Sequence, residues 1–377
     1  MTADRQDGSS GPIRILMTAD AVGGVWQYSL DLISQLTQQR FEVLLAILGP
    51  HPSNEQRAQA KSIPGLKVAE GGYSLEWMPD SWSDVDASGK WLLELQSNFG
   101  ADIIHLNGFS HAALSWKQPV LVVAHSCVRS WWRAVHGCAP GPEWDEYCRR
   151  VSRGLAACAR VIAPSRHMAD CIHSEYGISE DKISVIRNFT LKADVVQTWK
   201  SPFILAAGRF WDAAKNVSLL NRIAPQLAWE ICLAGSARES DCSSSSSRNI
   251  TCLGSLPHSE LLRSMESAAI FAHPALYEPF GLVALEAARA RCSLVLSDIP
   301  SLRELWDGAA VFIDPRDSDA WMRELNCLTE DKSRREELGN RAQMHAGRYT
   351  AQATVEQYVA LYSSLLGIGS EAKGAAA

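Results

Sequence analysis

The sequence predicts an α/β protein with two doubly wound domains. Short apolar runs alternate with amphipathic segments of helical length, a pattern typical of parallel sheets built from strand–helix–strand units. The pattern covers residues 13–186, pauses around 191–202 and restarts at 203. A chain of 377 residues is long enough for two such domains. Each domain is expected to place ligands at the carboxyl ends of its strands.

The apolar runs define the predicted strands. Gly23-Gly24 follows the first run and opens a helix that ends near residue 39, whereas residues 70–90 are expected to be irregular and the serine run 243–247 a surface loop. Predicted strands are 13–19, 43–48, 103–106, 120–124, 161–163 and 183–186 in the first half, and 203–207, 231–234, 250–253, 270–273, 294–296 and 310–313 in the second. Predicted helices of the second half cover 216–228, 258–267, 281–290, 317–329, 331–347 and 350–366.

These patterns also set the predicted domain boundaries. The divisions are a disordered tail at 1–11, a first domain at 12–192, a linker at 193–201, a second domain at 202–348, a C-terminal helix at 349–368 and a disordered tail at 369–377.

The composition excludes several classes of protein. The chain has 36 Lys and Arg against 42 Asp and Glu, a net charge of −6, whereas a dedicated nucleic-acid binder has a basic excess. No apolar run approaches a membrane span, and the polar start of the chain lacks the apolar core of a signal peptide. Ten cysteines without C-x-x-C pairs indicate mostly reduced thiols and a cytoplasmic protein.

The strongest chemical motif is the string YEPFGLVALE at 277–286. Glu278 lies in a loop at the carboxyl end of a predicted strand, and Glu286 lies two turns into the next helix. Gly281 lets a ligand approach the backbone, where free N–H groups of the helix would face an anion. Two carboxylates suit the hydroxyl groups of a sugar. Alternatively, Glu278 only favours the helix dipole and Glu286 is a solvated helix residue.

A second motif, GRFWDAAKN at 208–216, follows the first strand of the second half. Arg209 and Lys215 would point into the same crevice as the two glutamates. A planar guanidinium and a compact ammonium together suit a diphosphate. The alternative, two exposed basic residues flanking a loop, is disfavoured because the glutamates share the same sheet edge.

Histidines that follow strands are further candidates. His125 comes directly after the run 120–124 and would face the cleft, where a histidine can contact reacting groups. His105 and Asn107 lie at the end of another run and are candidates for acceptor contacts. A structural role is the alternative for each histidine.

No metal or nicotinamide site is predicted. Asp84-Val85-Asp86 has the D-x-D form of a metal-binding motif, but it lies in the stretch predicted to be irregular rather than at a strand edge. No cluster of His, Cys and Asp has metal-ligand spacing. Gly23-Gly24 lacks the G-x-G-x-x-G spacing of a dinucleotide site.

Taken together, GRFWDAAKN followed by YEPFGLVALEA resembles glycosyltransferase family 4, the retaining nucleotide-sugar transferases with the GT-B fold of two Rossmann-like domains facing a central cleft. In the first half, the strings ADAVGGVWQYSLDL, VIAPSRHMADCI and KISVIRNF also resemble this family. The resemblance covers about residues 13–366. It implies an acceptor-binding first domain, a nucleotide-sugar-binding second domain and a C-terminal helix that packs back on the first.

The resemblance implies a hexosyltransferase. It would move a hexosyl unit from a nucleotide-diphospho-sugar to a saccharide or lipid-linked acceptor, in polysaccharide or glycoconjugate synthesis, with no cofactor and no metal. The rival functions are a catalytically silent GT-B sugar-binding partner and a GT-B phosphorylase or epimerase.

The family's roles carry over to matching positions. Arg209 and Lys215 should bind the donor diphosphate, and Glu286 should hold the ribose hydroxyls. Glu278 should contact the transferred sugar, and His125 should lie at the reaction centre. The backbone positions expected to approach the donor are Gly23 and Gly24 in the first domain and Phe280, Gly281 and Leu282 in the second.

A basic and aromatic segment at 129–133 follows His125. Residues 129–167 contain seven arginines against three acidic residues, and Trp131 and Trp132 lie at the start of this region. Basic and aromatic residues together favour anionic lipid headgroups, so peripheral contact with the inner face of the membrane is an expectation. The alternative is that the two tryptophans pack in the cleft or the core.

Overall fold

Two parallel sheets organise the chain. The computed structural model describes residues 11–194, 199–236 and 249–368. The first sheet contains β1 (Ile13–Asp20), β2 (Phe41–Leu48), β3 (Lys67–Glu70), β4 (Ile103–Leu106), β5 (Val120–Val123), β6 (Arg160–Ala163) and β7 (Ile183–Val185). The second contains β8 (Ser201–Ala207), β9 (Ile231–Ala234), β10 (Ile250–Gly254), β11 (Ala268–His273), β12 (Ser293–Ser297) and β13 (Val311–Ile313). Their orders are β3-β2-β1-β4-β5-β6-β7 and β10-β9-β8-β11-β12-β13, which confirms the prediction of two doubly wound domains.

Helices connect the strands. Those of the first half are α1 (Gly24–Leu36), α2 (Asn54–Lys61), α3 (Trp82–Phe99), α4 (Val128–His136), α5 (Asp145–Ala157) and α6 (Arg166–Tyr176). Those of the second half are α7 (Val217–Ile223), α8 (His258–Ser267), α9 (Leu282–Arg289), α10 (Pro300–Trp306), α11 (Ser318–Glu330), α12 (Lys332–Ala346) and α13 (Ala351–Leu365).

The region predicted to be irregular, residues 70–90, contains the start of a long helix instead. Helix α3 begins at Trp82 and turns Val85, Ser88 and Leu92 into the protein. Two of its buried positions are Ser88 and Gly89, so the apolar stripe that marks a helix is weak in the sequence. Strand β3 was not predicted either, because this edge strand is largely exposed and has no apolar run.

The C-terminal helix α13 packs on the first domain. Tyr358 and Tyr362 are fully buried in the core that also contains β1 and α1. The Tyr362 hydroxyl lies 2.7 Å from Nδ1 of His105, which is itself fully buried. Burial in this tyrosine cluster corrects the expectation that His105 contacts an acceptor.

The two domains also touch directly. In α10 of the second domain, the Glu304 carboxylate accepts hydrogen bonds from the backbone N–H groups of Arg166 and His167, each at 2.9 Å. On the cleft side, the Tyr277 hydroxyl lies 2.8 Å from Ser130 Oγ. The two domains are therefore in contact at two places, at the N-terminus of α6 and beside Ser130 of α4.

Several predicted segments lie outside the described residues: the tail up to residue 10, linker residues 195–198, the serine run and the tail from 369. Within the described ranges, no helix is both long and apolar enough to cross a membrane. Eight of the described cysteines are free, four of them buried, and Cys252 is disulfide-bonded.

Candidate active site

Two helix N-termini face each other across the cleft. Helix α1 of the first domain begins at Gly24, and α9 of the second domain begins at Leu282. A Cβ atom built on Gly24 would lie 3.6 Å from Leu282 Cδ1, so the helix starts are in contact distance. The first N–H groups of a helix have no intrahelical acceptor and carry the positive end of its dipole. Two such ends at one place make an anion-binding site.

Arg209 lies against the start of α1. It follows β8, and a Cβ atom on Gly23 would be only 2.5 Å from its Nη1 atom. Its guanidinium lies 5.4 Å from the centre of the Trp211 ring, and Nη2 is 3.7 Å from Asp212 Oδ2. The side chain stays 37% exposed, and its planar donors suit a diphosphate. A side chain at position 23 would therefore displace the guanidinium from this place.

Alanine at position 23 tests this arrangement. Gly23 has φ −158°, an extended backbone that alanine adopts, so Gly23→Ala should fold normally and displace only the Arg209 side chain. Loss of one charged contact should weaken binding of a bare nucleoside diphosphate by about 10–100-fold. Calorimetry measures the affinity, and urea unfolding measures the stability. In an Arg209→Ala background the substitution should add nothing, and an equal loss in both backgrounds would contradict the geometry.

Lys215 is paired rather than free. Its Nζ atom donates a hydrogen bond of 2.8 Å to Glu278 Oε2, and the two side chains are 15% and 12% exposed. His273 Nε2 lies 3.1 Å from the same oxygen. Burial raises the pKa of Glu278, but the charge of Lys215 and the contact with His273 outweigh burial, and the net pKa is well below the ordinary value. Lys215 therefore keeps Glu278 ionised inside the cleft.

The loop after Glu278 leads into helix α9. Gly281 caps α9 in the left-handed conformation, with φ +83°, which glycine adopts without strain. Ser301 Oγ donates a hydrogen bond of 2.5 Å to the Glu278 carbonyl and fixes the start of this loop. The amides of Phe280, Gly281 and Leu282 thus lie at the N-terminus of α9, beside the Glu278 carboxylate.

Glu286 is buried, which excludes the solvated role considered above. The side chain is 4% exposed, and its Oε1 atom lies 2.8 Å from Nε2 of His258. His258 begins α8, the neighbouring helix, and had no signal in the sequence because its partner is 28 residues away.

His125 lies at the end of β5, where the sequence places it. Its Nε2 atom lies 2.9 Å from Asn107 Oδ1, and Asn107 Nδ2 donates to the Thr18 carbonyl at 2.7 Å. Because Asn107 uses its amide nitrogen on Thr18, its oxygen must accept, so we assign the His125 proton to Nε2. Burial lowers the pKa of His125 to about 3, and the ring is neutral at physiological pH. Asn107 thus holds His125, and it also lines a small cavity of the first domain, so its contact with an acceptor stays a prediction.

Sequence reasoning missed two acidic residues of the cleft. Asp20 ends β1, accepts a hydrogen bond of 2.9 Å from the Val22 amide, and has a pKa raised by burial, although the charge of Arg209 opposes the rise. Asp212 accepts hydrogen bonds from Trp131 Nε1 and the Ala214 amide, both at 3.0 Å. The position of Asp20, between a buried strand and the Gly-Gly loop, was an available signal.

The tryptophans of the cleft join the domains. Trp77 and Trp211 stack with ring centres 6.4 Å apart and planes at 21°. Trp131 reaches Asp212 of the second domain, as described. These contacts support packing in the cleft for Trp77 and Trp131, one of the alternatives that the sequence left open.

Asp84 and Asp86 do not form a metal site, although the reason differs from the predicted one. Both lie in the first turns of α3, not in an irregular stretch. Asp84 accepts hydrogen bonds from the Ser74 amide and hydroxyl, and Asp86 pairs with Arg150 at 2.5 Å. In the part of the chain that the structure covers, no group of His, Cys, Asp and Glu could hold a metal ion.

Comparison with known families accounts for both domains. The family model described as Glycosyltransferase Family 4 matches residues 22–190, and the model described as Glycosyl transferases group 1 matches residues 190–345. The chain belongs to glycosyltransferase family 4. The family assignment that the sequence predicts is thereby confirmed, and the two doubly wound domains agree with the predicted GT-B fold.

Relatives of this family member include enzymes of glycoconjugate synthesis. It is 27% identical over 205 residues to the O-antigen chain mannosyltransferase RfbU of Salmonella typhimurium. This match covers 50% of this chain and 57% of that protein. It is 35% identical over 121 residues to a D-inositol 3-phosphate glycosyltransferase of Corynebacterium urealyticum, 32% of this chain and 28% of that protein. The matches thus span less than two thirds of the length of these two relatives. The match to the Corynebacterium efficiens protein of the same name, at 25% identity, covers 90% of both chains.

Solved structures share the fold. Sucrose-phosphate synthase from Thermosynechococcus elongatus superposes with a TM-score of 0.75 at 16% identity, covering 95% of this family 4 chain and all of that one. Anabaena HepE in complex with UDP and glucose superposes with a TM-score of 0.71 at 16% identity. This match covers 93% of this chain and 100% of that one.

Proposed function

We propose that this glycosyltransferase moves a hexosyl unit from a nucleotide-diphospho-sugar to a saccharide acceptor. The observation that carries the proposal is the position of the Arg209 guanidinium against Gly23, at the start of the helix that also approaches Leu282 and so the start of α9. This arrangement offers a planar cation and two sets of free N–H groups to one anion, as a sugar diphosphate requires. The mannosyltransferase and inositol-phosphate glycosyltransferase relatives support hexosyl transfer in glycoconjugate synthesis.

In this reaction, departure of the nucleoside diphosphate is the difficult step. Arg209 and the first amides of α9 stabilise the negative charge that develops on the leaving phosphate. Glu278, held by Lys215 and His273, accepts hydrogen bonds from the transferred sugar. Neutral His125 lies on the acceptor side of the cleft.

We propose retention of anomeric configuration. Glu278 is engaged by an ammonium and an imidazole, which reduces its nucleophilicity and leaves no free pair of carboxylates for a double displacement among the residues described here. In the front-face route the acceptor oxygen attacks the anomeric carbon as the bond to phosphate breaks, and the departing phosphate takes the acceptor proton. An inverted linkage in the product, read by NMR, would refute this route.

The acceptor is expected to be an uncharged saccharide at its reacting end. A cavity of about 40 Å³, room for a hydroxyl group rather than a whole sugar, is lined in part by Asp20, Glu76 and Asn107, and its described lining contains neither Lys nor Arg. Carboxylates and amides bind hydroxyl groups and repel phosphate.

Turnover in the presence of a chelator tests the proposed reaction. Purified protein is incubated with UDP- and GDP-hexoses and neutral saccharides, alongside the corresponding sugar phosphates, and released nucleoside diphosphate and product are measured. We expect turnover with neutral acceptors and equal rates in EDTA, because Arg209 and the helix amides, not a cation, neutralise the leaving group. Loss in EDTA that Mg²⁺ restores would contradict metal independence.

The same assay separates the rival functions. A phosphorylase would require inorganic phosphate, an epimerase would convert the donor without acceptor, and a silent binding partner would show no turnover. The eight free cysteines support a reducing compartment, so we propose that the reaction occurs in the cytoplasm.

Contact with a membrane surface stays a prediction. Arg129 donates to the Glu175 carbonyl and Arg133 to its carboxylate, so part of the basic surplus is already neutralised. If α4 binds lipid, the protein should sediment with phosphatidylglycerol vesicles at low salt. The sedimented fraction should decrease at high salt and in the Trp132→Ala variant. Trp199→Ala, which removes a tryptophan that is 65% exposed elsewhere, is the matched control. No sedimentation of the wild type at low salt would contradict membrane contact.

A further inference from the structure

The contact between His258 and Glu286 has a feature that simple packing does not require. Glu286 is almost fully buried, yet His258 contacts only one of its oxygens, Oε1, at 2.8 Å. Among the described residues, His258 is the only hydrogen-bond partner of this carboxylate. The second oxygen, Oε2, therefore remains available on the helix whose first turn lies at the anion site.

We propose that His258 is a positioning residue for donor recognition: by donating to Oε1 it fixes the Glu286 carboxylate so that Oε2 accepts from the ribose diol of the nucleotide. This inference rests on the proposed function and on the expectation from the family resemblance that Glu286 holds the ribose. It adds a residue from α8, outside both motifs, to the donor site.

The physical reason is the freedom of an unpartnered carboxylate. The terminal torsion of a glutamate is broad, so a carboxylate without a fixed partner samples many orientations. A hydrogen bond from a half-buried imidazole removes that freedom before the ligand arrives, and preorganisation of this kind improves affinity. It also satisfies a buried acceptor that would otherwise cost free energy.

Charges around the pair favour a donating imidazole. Burial alone would lower the pKa of His258, but its hydrogen bond to Glu286 and the charges of Glu286, Asp31 and Glu55 outweigh burial and raise it. Asp31 lies on α1 of the other domain, and burial and the charge of Glu286 raise its pKa to about 6. Asp31 and Glu55 thus add to the negative charge near His258, and among the described residues neither is hydrogen-bonded to Glu286.

A purely structural role for His258 makes a different forecast. In that case its loss would weaken binding of every ligand of the second domain by the same factor. The two roles are separated by ligands that differ only in the ribose hydroxyls.

The experiment is calorimetry with UDP and GDP and with their 2′,3′-dideoxy analogues. His258→Phe should weaken the ribonucleotides about tenfold, the value of one charge-assisted hydrogen bond, and leave the dideoxy analogues unchanged. His258→Gln, which keeps an N–H donor, should recover most of the loss. His51→Gln is the matched control, because His51 forms a similar pair with Glu70 on the surface, at 3.3 Å.

The outcomes distinguish this inference from the proposed function. Equal losses for both kinds of nucleotide, or no recovery in His258→Gln, would overturn the positioning role. If Glu286→Gln weakens the ribonucleotides while His258→Phe does not, only the inference fails. If Glu286→Gln has no effect, or the wild type binds neither nucleoside diphosphate, the donor site itself is wrong. Thermal unfolding of each variant confirms that the protein measured is folded.

Discussion

Replacement of Arg209 by alanine is expected to lower donor turnover by about 10²–10³-fold, the usual effect of removing one donor from a developing oxyanion. The fold should survive, since the side chain is 37% exposed and its one ion pair with a described residue is a 3.7 Å contact with Asp212. Steady-state kinetics with a nucleotide sugar measure the loss, and it should fall mainly on kcat because the charge develops in the transition state.

Arg222→Ala is the control for this prediction. Arg222 belongs to the same domain, lies on α7 and contacts only Ser318, at 3.5 Å. Turnover of the control should match the wild type. A turnover of Arg209→Ala that also matches the wild type would remove Arg209 from the mechanism.

Replacement of Lys215 by alanine should act first on stability. Both partners of the Lys215–Glu278 pair are largely buried, and removal of one partner of such a pair costs about 3–5 kcal/mol because the other charge is left behind. Neutralising that charge in Lys215→Ala/Glu278→Gln should restore part of the loss. Urea unfolding gives the free energies, and a double variant less stable than Lys215→Ala would contradict the pairing.

Acid should weaken the same interaction. The pKa of Glu278 is lower in the folded chain than in the unfolded chain, so its stabilising effect is present at neutral pH and is lost as the pH falls toward the folded value.

Lys332→Ala is the control for the Lys215 substitution. It breaks a surface pair whose lysine is 79% exposed and should change the free energy of unfolding by at most about 0.5 kcal/mol.

The sequence places the residues of the site but not their pairing. Motif spacing puts Arg209, Glu278 and Glu286 at one edge of a parallel sheet, since the carboxyl ends of its strands meet there. The family resemblance implies that Lys215 binds the donor diphosphate, but no pattern in the sequence predicts that its ammonium pairs with Glu278. Partnership between side chains 63 residues apart depends on the distance and angle between loops, which local patterns do not encode.

Burial was also difficult to predict for polar residues. His105 follows a strand just as His125 does, yet one is locked in a tyrosine cluster and the other faces the cleft. The difference arises from α13, which comes from the far end of the chain and covers His105. Trp131, for which the sequence leaves open lipid contact or packing in the cleft, contacts Asp212 of the other domain, and local patterns do not encode such a long-range contact.

The return of the chain to the first domain constrains how the cleft can open. The polypeptide passes between the domains twice, between β7 and β8 and again between α12 and α13. Thr354 Oγ1 donates to the Arg187 carbonyl at 2.9 Å, so the two passages are fastened side by side. A domain connected at two adjacent points can rotate about the axis through those points but resists other rotations and translation. We therefore expect the second domain to rotate about this double connection, so that closure returns Arg209 to the same place against Gly23.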